Sequence, residues 1–142
     1  MLLSINSGEK MKLTLAAFSL FILFGSCINE PTTGPQTSIG TPPPDFFLKQ
    51  NFPNPFADTT TIEFGVPASG GSASSVSIIV YDALLEPVRT LVNNSSHPSG
   101  IFRTKWSGIN ARGVQAAPGP YTIEMRGYTP QSTLIRIIAI KK

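Results

Sequence analysis

The chain has 142 residues, a length that suits one folded domain of ordinary size. Charged residues make up only 13%, whereas glycine and proline number 12 and 13. This composition favours a turn-rich β protein over a helical enzyme. The formal net charge is +3, and no segment concentrates lysine and arginine. Because a nucleic-acid interface needs a basic stripe, we expect no nucleic-acid partner.

The N-terminal segment has the anatomy of a signal peptide. Lys10 and Lys12 precede an apolar run, LTLAAFSLFILF, which is followed by small residues. The run is shorter than the about 20 apolar residues of a transmembrane helix. We therefore predict a signal helix within residues 1–26. The residues before Met11 add nothing to a signal, so Met11 is a candidate for the true start.

The only cysteine, Cys27, directly follows the small pair Gly25-Ser26. This pattern resembles a bacterial lipoprotein signal, in which cleavage falls between Ser26 and Cys27 and the cysteine is then acylated, although Phe24 stands where leucine is usual. The alternative is an ordinary secretory signal followed by a free thiol. The expected location is the envelope of a Gram-negative bacterium, anchored in the outer membrane through Cys27, or secreted.

Residues 27–45 are rich in proline, threonine and glycine and hold few apolar side chains. Such a segment buries too little surface to fold, so we predict a disordered linker between the lipid anchor and a domain at residues 46–142. The prolines at 42–44 favour an extended polyproline conformation.

Short β-strand candidates alternate with turn signals throughout residues 46–142, and no segment shows a helical period. This spacing predicts an all-β fold, an immunoglobulin-like β-sandwich of about seven antiparallel strands. The candidates are Phe46–Lys49, Thr60–Val66, Ser75–Asp82, Val88–Val92, Ile101–Trp106, Tyr121–Arg126 and Leu134–Ile140.

Alternation assigns the faces of most strands and predicts a core with five large aromatic side chains. The last strand is nearly all apolar, so a bulge or burial on both faces is possible. The predicted core aromatics are Phe64, Tyr81, Phe102, Trp106 and Tyr121.

A turn rich in proline and asparagine precedes the second strand. In Asn51–Asp58 we expect Pro53 and Pro55 to fix the backbone, and Phe52 and Phe56 to cover the end of the core.

No catalytic or metal-binding pattern emerges. His97, the only histidine, is predicted as an exposed loop residue, because no cysteine or second histidine can join it in a zinc site. Asp58 and Asp82 are each predicted to stabilise a turn. We therefore expect no enzyme activity, no metal, no cofactor and no small-molecule substrate.

Four motifs occur in an order that resembles a known family. They are the NPF turn (Asn54, Pro55, Phe56), the VYD strand end (Tyr81, Asp82), the WxGxNxxG turn (Trp106, Gly108, Gly113) and the PGPY entry (Gly119, Tyr121). With the closing strand they resemble type IX secretion C-terminal sorting domains, and part of the pattern is shared with the FlgD-type immunoglobulin-like domain of the flagellar hook-capping protein. Leu85, Ser107 and Pro120 depart from the usual residues.

The resemblance implies a non-catalytic module for protein–protein contact, with envelope or secretion-machinery proteins as partners. One hypothesis is an envelope lipoprotein whose module binds another envelope component or attaches to the surface. The alternatives are a minimal type IX secretion substrate, or a fragment of one, whose C-terminal domain is the sorting signal, and a FlgD-like assembly scaffold.

Overall fold

A computed structural model describes residues 37–68, 74–129 and 131–142. The predicted signal helix, Ser26, Cys27 and residues 27–36 of the predicted linker lie outside the described residues. The described strands are β1 (Phe47–Leu48), β2 (Thr60–Val66), β3 (Ser74–Tyr81), β4 (Pro87–His97), β5 (Gly100–Trp106), β6 (Gly119–Tyr128) and β7 (Ser132–Lys141).

The strands form two antiparallel sheets. The first, sheet A, has the order β1-β2-β5, and the second, sheet B, has the order β4-β3-β6-β7. Their apolar inner faces enclose one core. The predicted immunoglobulin-like β-sandwich is therefore confirmed.

Period-two patterning sets the inner faces of β2 and β3. Ile62, Phe64 and Val66 are fully buried along β2, as expected for a strand whose alternate residues face the core. On β3, Val76, Ile78 and Val80 are fully buried in the same way. Four of the five predicted core aromatics are buried, whereas Tyr81 is half-buried on the outer face of sheet B.

β4 is longer than the sequence predicts and includes most of the stretch predicted as a loop. Asn93 and Asn94 pair with Ser77 and Val76 of β3, so cross-strand hydrogen bonding overrides the low β-propensity of asparagine. The prediction of an exposed His97 was wrong. The ring is buried, with its centroid 5.6 Å from that of Phe64 and 4.6 Å from that of Phe102.

β7 is an edge strand with a continuous register against β6, from Gly119 opposite Lys141 to Tyr128 opposite Ser132. Neither the bulge nor the two-sided burial considered for this strand is present. Only its inner face is covered, and there Ala139 is buried. The apolar residues on its outer face are exposed: Leu134, Ile138 and Ile140.

Part of the predicted linker contacts the sandwich. The Ile39 N–H donates to the Ile101 carbonyl at the start of β5 (2.8 Å). Phe46 is buried, and its ring fills the space beside Gly127, where an added Cβ would lie 2.6 Å from Cδ1 of the ring. Fixed contacts thus begin at about Ser38 rather than at Phe46.

Candidate functional site

The NPF turn joins the chain to the end of β7. The Asn54 side chain accepts a hydrogen bond from the Ile140 N–H (2.8 Å) and donates one to the Ile138 carbonyl (2.9 Å). Phe56 is buried, and its N–H donates to the Ile140 carbonyl (2.9 Å). Pro55 lies between these two contacts and completes the turn. These residues therefore seal one part of the β7 edge.

The prediction that Phe52 covers the core was wrong, since its side chain is 80% exposed. Phe52 exchanges two backbone hydrogen bonds with Thr61, so its segment is extended. Asn51, one residue earlier, turns inward and donates to the Thr60 hydroxyl (2.8 Å). Successive side chains of an extended segment point to opposite sides, so Phe52 points outward.

An aromatic stack connects the NPF turn to the later motifs. Ring centroids of Phe56 and Trp106 are 5.3 Å apart, and those of Trp106 and Tyr121 are 5.0 Å apart. The indole N–H of Trp106 donates to the Ile109 carbonyl (3.1 Å), and the Tyr121 hydroxyl donates to the Ala117 carbonyl (2.7 Å). Three separate motifs thus meet at one end of the sandwich.

The WxGxNxxG turn is built around Asn110. Its side-chain oxygen accepts hydrogen bonds from the Arg112 and Val114 N–H groups (2.9 and 3.0 Å). Gly108 and Gly113 have φ of 70° and 79°, the left-handed region predicted for them from the sequence. Gly119, at the start of β6, has φ of 148°.

Asp82 stabilises the β3–β4 turn, as predicted. Its carboxylate accepts hydrogen bonds from the N–H groups of Leu84 and Glu86, both at 2.9 Å. Burial raises the pKa of the Tyr121 phenol, and the nearby Asp82 charge raises that pKa further. The VYD motif therefore lies at the same end of the sandwich as the other three.

This end, which we call the loop end, consists of the turns at residues 82–86 and 107–118. We call the opposite end the tether end, because the predicted linker meets the sandwich there through the hydrogen bond between Ile39 and Ile101. β5 runs from the tether end at Gly100 to the loop end at Trp106, a distance of roughly 20 Å at about 3.3 Å per residue. The chain therefore enters the domain at the end opposite to the motifs.

The loop end exposes three apolar side chains that sequence reasoning missed. Leu84, Leu85 and Val114 are 83%, 66% and 58% exposed. The two turns that carry them border one recess of about 340 Å³, whose lining includes Pro87 and Val88. The sequence feature that could have indicated this surface is the pair of leucines at 84 and 85, in a turn where the family named above usually has a glycine.

Leu85 also has an unusual backbone. Its φ is 62°, and it is the only non-glycine residue with positive φ in the described part of the chain. The left-handed conformation costs an L-residue about 1–2 kcal/mol, because Cβ approaches the following carbonyl oxygen. The turn therefore keeps a strained and exposed leucine at a position that suits glycine.

Two ion-pair clusters lie on the outer faces of the sheets, each built around a glutamate that is largely shielded from solvent. On sheet A, Glu63 accepts hydrogen bonds from Lys49 and Arg103, and these hold the pKa of its carboxyl below the ordinary value. On sheet B, the buried Glu124 pairs with two arginines, Arg126 (2.6 Å) and Arg136 (2.7 Å). Both clusters bind strands together across their register.

The described ranges, 37–68, 74–129 and 131–142, contain no cluster of three or more His, Cys, Asp or Glu residues able to hold a metal ion. Over the same ranges, no helix has the length and apolar character needed to cross a membrane.

Two antiparallel sheets around one core, closed at one end by four turn motifs, define an immunoglobulin-like β-sandwich module. The profile of the FlgD Ig-like domain family matches residues 54–131, more than half of the chain. The chain belongs to this family. No curated protein and no solved structure matches the chain significantly.

Proposed function

We propose that this protein is a non-catalytic lipoprotein of the Gram-negative cell envelope, held in the outer membrane through Cys27, whose Ig-like module binds another envelope protein. The observation that carries the proposal is the exposure of Leu84, Leu85 and Val114 at the loop end, opposite the point where the tether enters. Exposed apolar side chains beside a recess are typical of protein contacts.

The segment between Cys27 and Ser38, which we call the tether, limits the distance between the module and the membrane. About ten residues separate Cys27 from Ser38, where contacts with the domain begin, and they span at most roughly 35 Å when extended. The loop end faces away from this attachment point. A partner in the same envelope layer therefore meets Leu84 and Leu85 without competition from the anchor.

Leu85 supports a binding role over a structural one. Its side chain is 66% exposed, so it adds little to the core, while its backbone conformation lowers stability. Backbone strain at a solvent-exposed turn is typical of functional sites. We infer that Leu85 is retained for contact with a partner.

The membrane anchor is tested with a Cys27→Ser variant expressed in a Gram-negative host. The proposal expects loss of labelled fatty acid and release from the membrane fraction, with the folded domain unchanged by circular dichroism. A variant that still incorporates fatty acid would contradict lipidation at Cys27.

The contact surface is tested by placing a photo-crosslinking amino acid at Leu84 in the full chain. We expect a discrete cross-linked envelope protein, and the product should vanish when Leu85 is replaced by serine. The matched control places the cross-linker at Gln131, which is exposed in the β6–β7 turn at the tether end. Equal products from both positions would contradict a contact at the loop end.

A second candidate is a minimal type IX secretion substrate, or a fragment of one, with β7 as part of the sorting signal. The exposed outer face of β7 favours it, since Leu134, Ile138 and Ile140 are accessible to a receptor. Replacing Leu134 and Ile138 by serine leaves the core intact and should then block export, whereas a retained lipoprotein keeps its location. Mass spectrometry of the C-terminus shows whether the domain is cleaved.

A FlgD-like assembly scaffold is the third candidate, and its support is the family membership alone. Such a role expects discrete oligomers with other structural proteins, which native mass spectrometry of the solubilised envelope would detect.

A further inference from the structure

The register of β2 determines which backbone groups of β5 face outward. The backbone groups of Glu63 and Thr61 form hydrogen bonds with those of Lys49 and Phe52, on the side of β2 where β1 lies. The backbone N–H and C=O groups of the odd-numbered β2 residues therefore face away from β5. The even-numbered residues of β2 therefore pair with the even-numbered residues of β5, as in Phe64 opposite Phe102. In an antiparallel ladder the intervening residues point the other way, so the N–H and C=O groups of the odd-numbered β5 residues face the free edge.

One of these outward groups is already used. The Ile101 carbonyl accepts a hydrogen bond from the Ile39 N–H. A strand added to this edge would form its first backbone hydrogen bond in the same way. Further along, no described residue pairs with the outward N–H and C=O groups of Arg103 or Lys105. We call this stretch, Phe102–Trp106, the open edge of β5.

A groove lies beside the open edge. The groove has a volume of about 340 Å³ and runs between β4 and β5, where Leu91 and Thr104 are among its lining residues. Ile109 and Gly113 bound it at the loop end. The open edge is roughly 17 Å long, so it accommodates an extended peptide of about five residues.

The two charged side chains that line the groove are both cationic. Arg89 and Lys105 line it, and the exposed Arg103 projects from the same edge strand. Glu63, on the outer face of sheet A, pairs with Arg103 and Lys49 and does not line the groove. Cationic side chains on an edge strand discourage pairing with a second basic strand but attract an acidic one.

We propose that the open edge of β5 binds an extended acidic peptide segment of another protein, which adds a strand to sheet A. Backbone hydrogen bonds to Arg103 and Lys105 give the register, and acidic side chains of the peptide contact Arg89 and Lys105. The inference rests on the protein-binding role proposed above, but it uses a surface distinct from Leu84 and Leu85.

Binding is tested with the full chain in nonionic detergent and a fluorescein-labelled hexapeptide of alternating valine and glutamate. We expect saturable binding that weakens as salt is raised, and none with a peptide carrying lysine in place of glutamate. Lys105→Glu should weaken binding of the acidic peptide by at least about tenfold and create binding of the basic one. Lys142→Glu makes the same charge change at the C-terminus and should leave both unchanged.

Amide hydrogen exchange locates the peptide. Without it, the amides of Arg103 and Lys105 should exchange quickly and those of Phe102 and Thr104 slowly. Adding the acidic peptide should slow exchange at Arg103 and Lys105 alone. Unchanged exchange at these two amides, or binding insensitive to Lys105→Glu, would overturn the proposal.

Two other occupants give distinct results, and either would overturn the proposal. If the tether of the same chain fills the edge, both amides are protected in the full chain, and deletion of residues 28–36 exposes them. If a second copy fills it, protection rises with protein concentration. Cross-linking at Leu84 does not involve this edge, so its result separates failure of this inference from failure of the proposed function.

Discussion

The side-chain oxygen of Asn54 accepts a hydrogen bond from the backbone N–H of Ile140, 2.8 Å away. The same side chain donates to the Ile138 carbonyl, so one asparagine satisfies two backbone groups on the free edge of β7. An edge strand otherwise presents such groups to other chains. The NPF motif is therefore a structural clamp between the start of the domain and its last strand.

Asn54→Ala should lower the free energy of unfolding by about 0.5–1.5 kcal/mol, because the Ile140 N–H loses its side-chain partner, whereas the Ile138 carbonyl still accepts a hydrogen bond from Gln50 (2.7 Å). Asn54→Asp keeps the acceptor and loses the donor, so a smaller loss is expected. Chemical denaturation monitored by tryptophan fluorescence measures both. Asn93→Ala is the control, since the Asn93 side chain is exposed and forms no hydrogen bond to any residue that the structure describes. An Asn54→Ala variant as stable as this control would contradict the clamp.

The contact of Phe46 with Gly127 gives a second prediction. Gly127→Ala should destabilise the domain by about 1–3 kcal/mol, because the new Cβ would lie 2.6 Å from the buried ring and force it to move. Gly40→Ala is the control. There the nearest atom is the tip of the Ile101 side chain at 3.1 Å, which can shift. Equal thermal midpoints of the two variants would show that Phe46 is not fixed in the core.

The strands whose facing the sequence predicted well are those in which buried apolar residues alternate with more polar ones. Apolar residues recur at every second position of β2 and β3, and this period of two correctly predicts that Phe64 and Ile78 face the core. β7 lacks alternation because its exposed outer face is also apolar, so its facing depends on the strand order, which no local pattern contains.

The missed features depend on contacts distant in the chain. His97 is buried because Phe64 and Phe102, from two other strands, close around its ring. The loop-end leucines were missed for the opposite reason. A pair of apolar residues predicts burial, whereas Leu84 and Leu85 stand in a turn held by Asp82 and point to solvent.

The Glu124 cluster predicts a pH-dependent stability. Burial raises the pKa of Glu124, but hydrogen bonds from Arg136 and Arg126 outweigh burial and bring this pKa below its ordinary value of 4.5. A carboxyl with a lowered pKa in the folded state stabilises the fold above its unfolded pKa. That contribution is lost as the pH falls through the folded pKa.

Glu124→Gln should therefore cost about 1–2 kcal/mol at pH 7, because both arginines are largely exposed and solvent screens part of their attraction for the carboxylate. The difference from wild type should shrink steadily below about pH 4.5. Urea titrations at pH 7, 5, 4 and 3 measure it. Arg136→Gln should remove part of the same pH dependence. A Glu124→Gln cost that stays constant down to pH 3 would contradict the role of the ion pairs.

The strain at Leu85 predicts a substitution that separates stability from binding. Leu85→Gly removes the backbone strain of a left-handed leucine, which stabilises the folded state by about 1–2 kcal/mol. The greater freedom of glycine in the unfolded chain lowers the stability by about 0.4–1 kcal/mol. A net gain of about 0.5–1 kcal/mol is expected in the free energy of unfolding. Leu84→Gly is the matched control. Leu84 has no positive φ, so only the unfolded-state term acts and stability should fall.

Both variants remove an exposed apolar side chain, so both should weaken the proposed contact with an envelope protein. The informative result is the opposite sign of their stability changes beside the same loss of binding, measured by denaturation and by cross-linking from Val114. Stability alone favours glycine at position 85, whereas the proposed partner contact would favour leucine there despite its strained backbone. A Leu85→Gly variant that gains stability and keeps full cross-linking would leave the strained leucine without a binding role and would refute the assignment of the loop end.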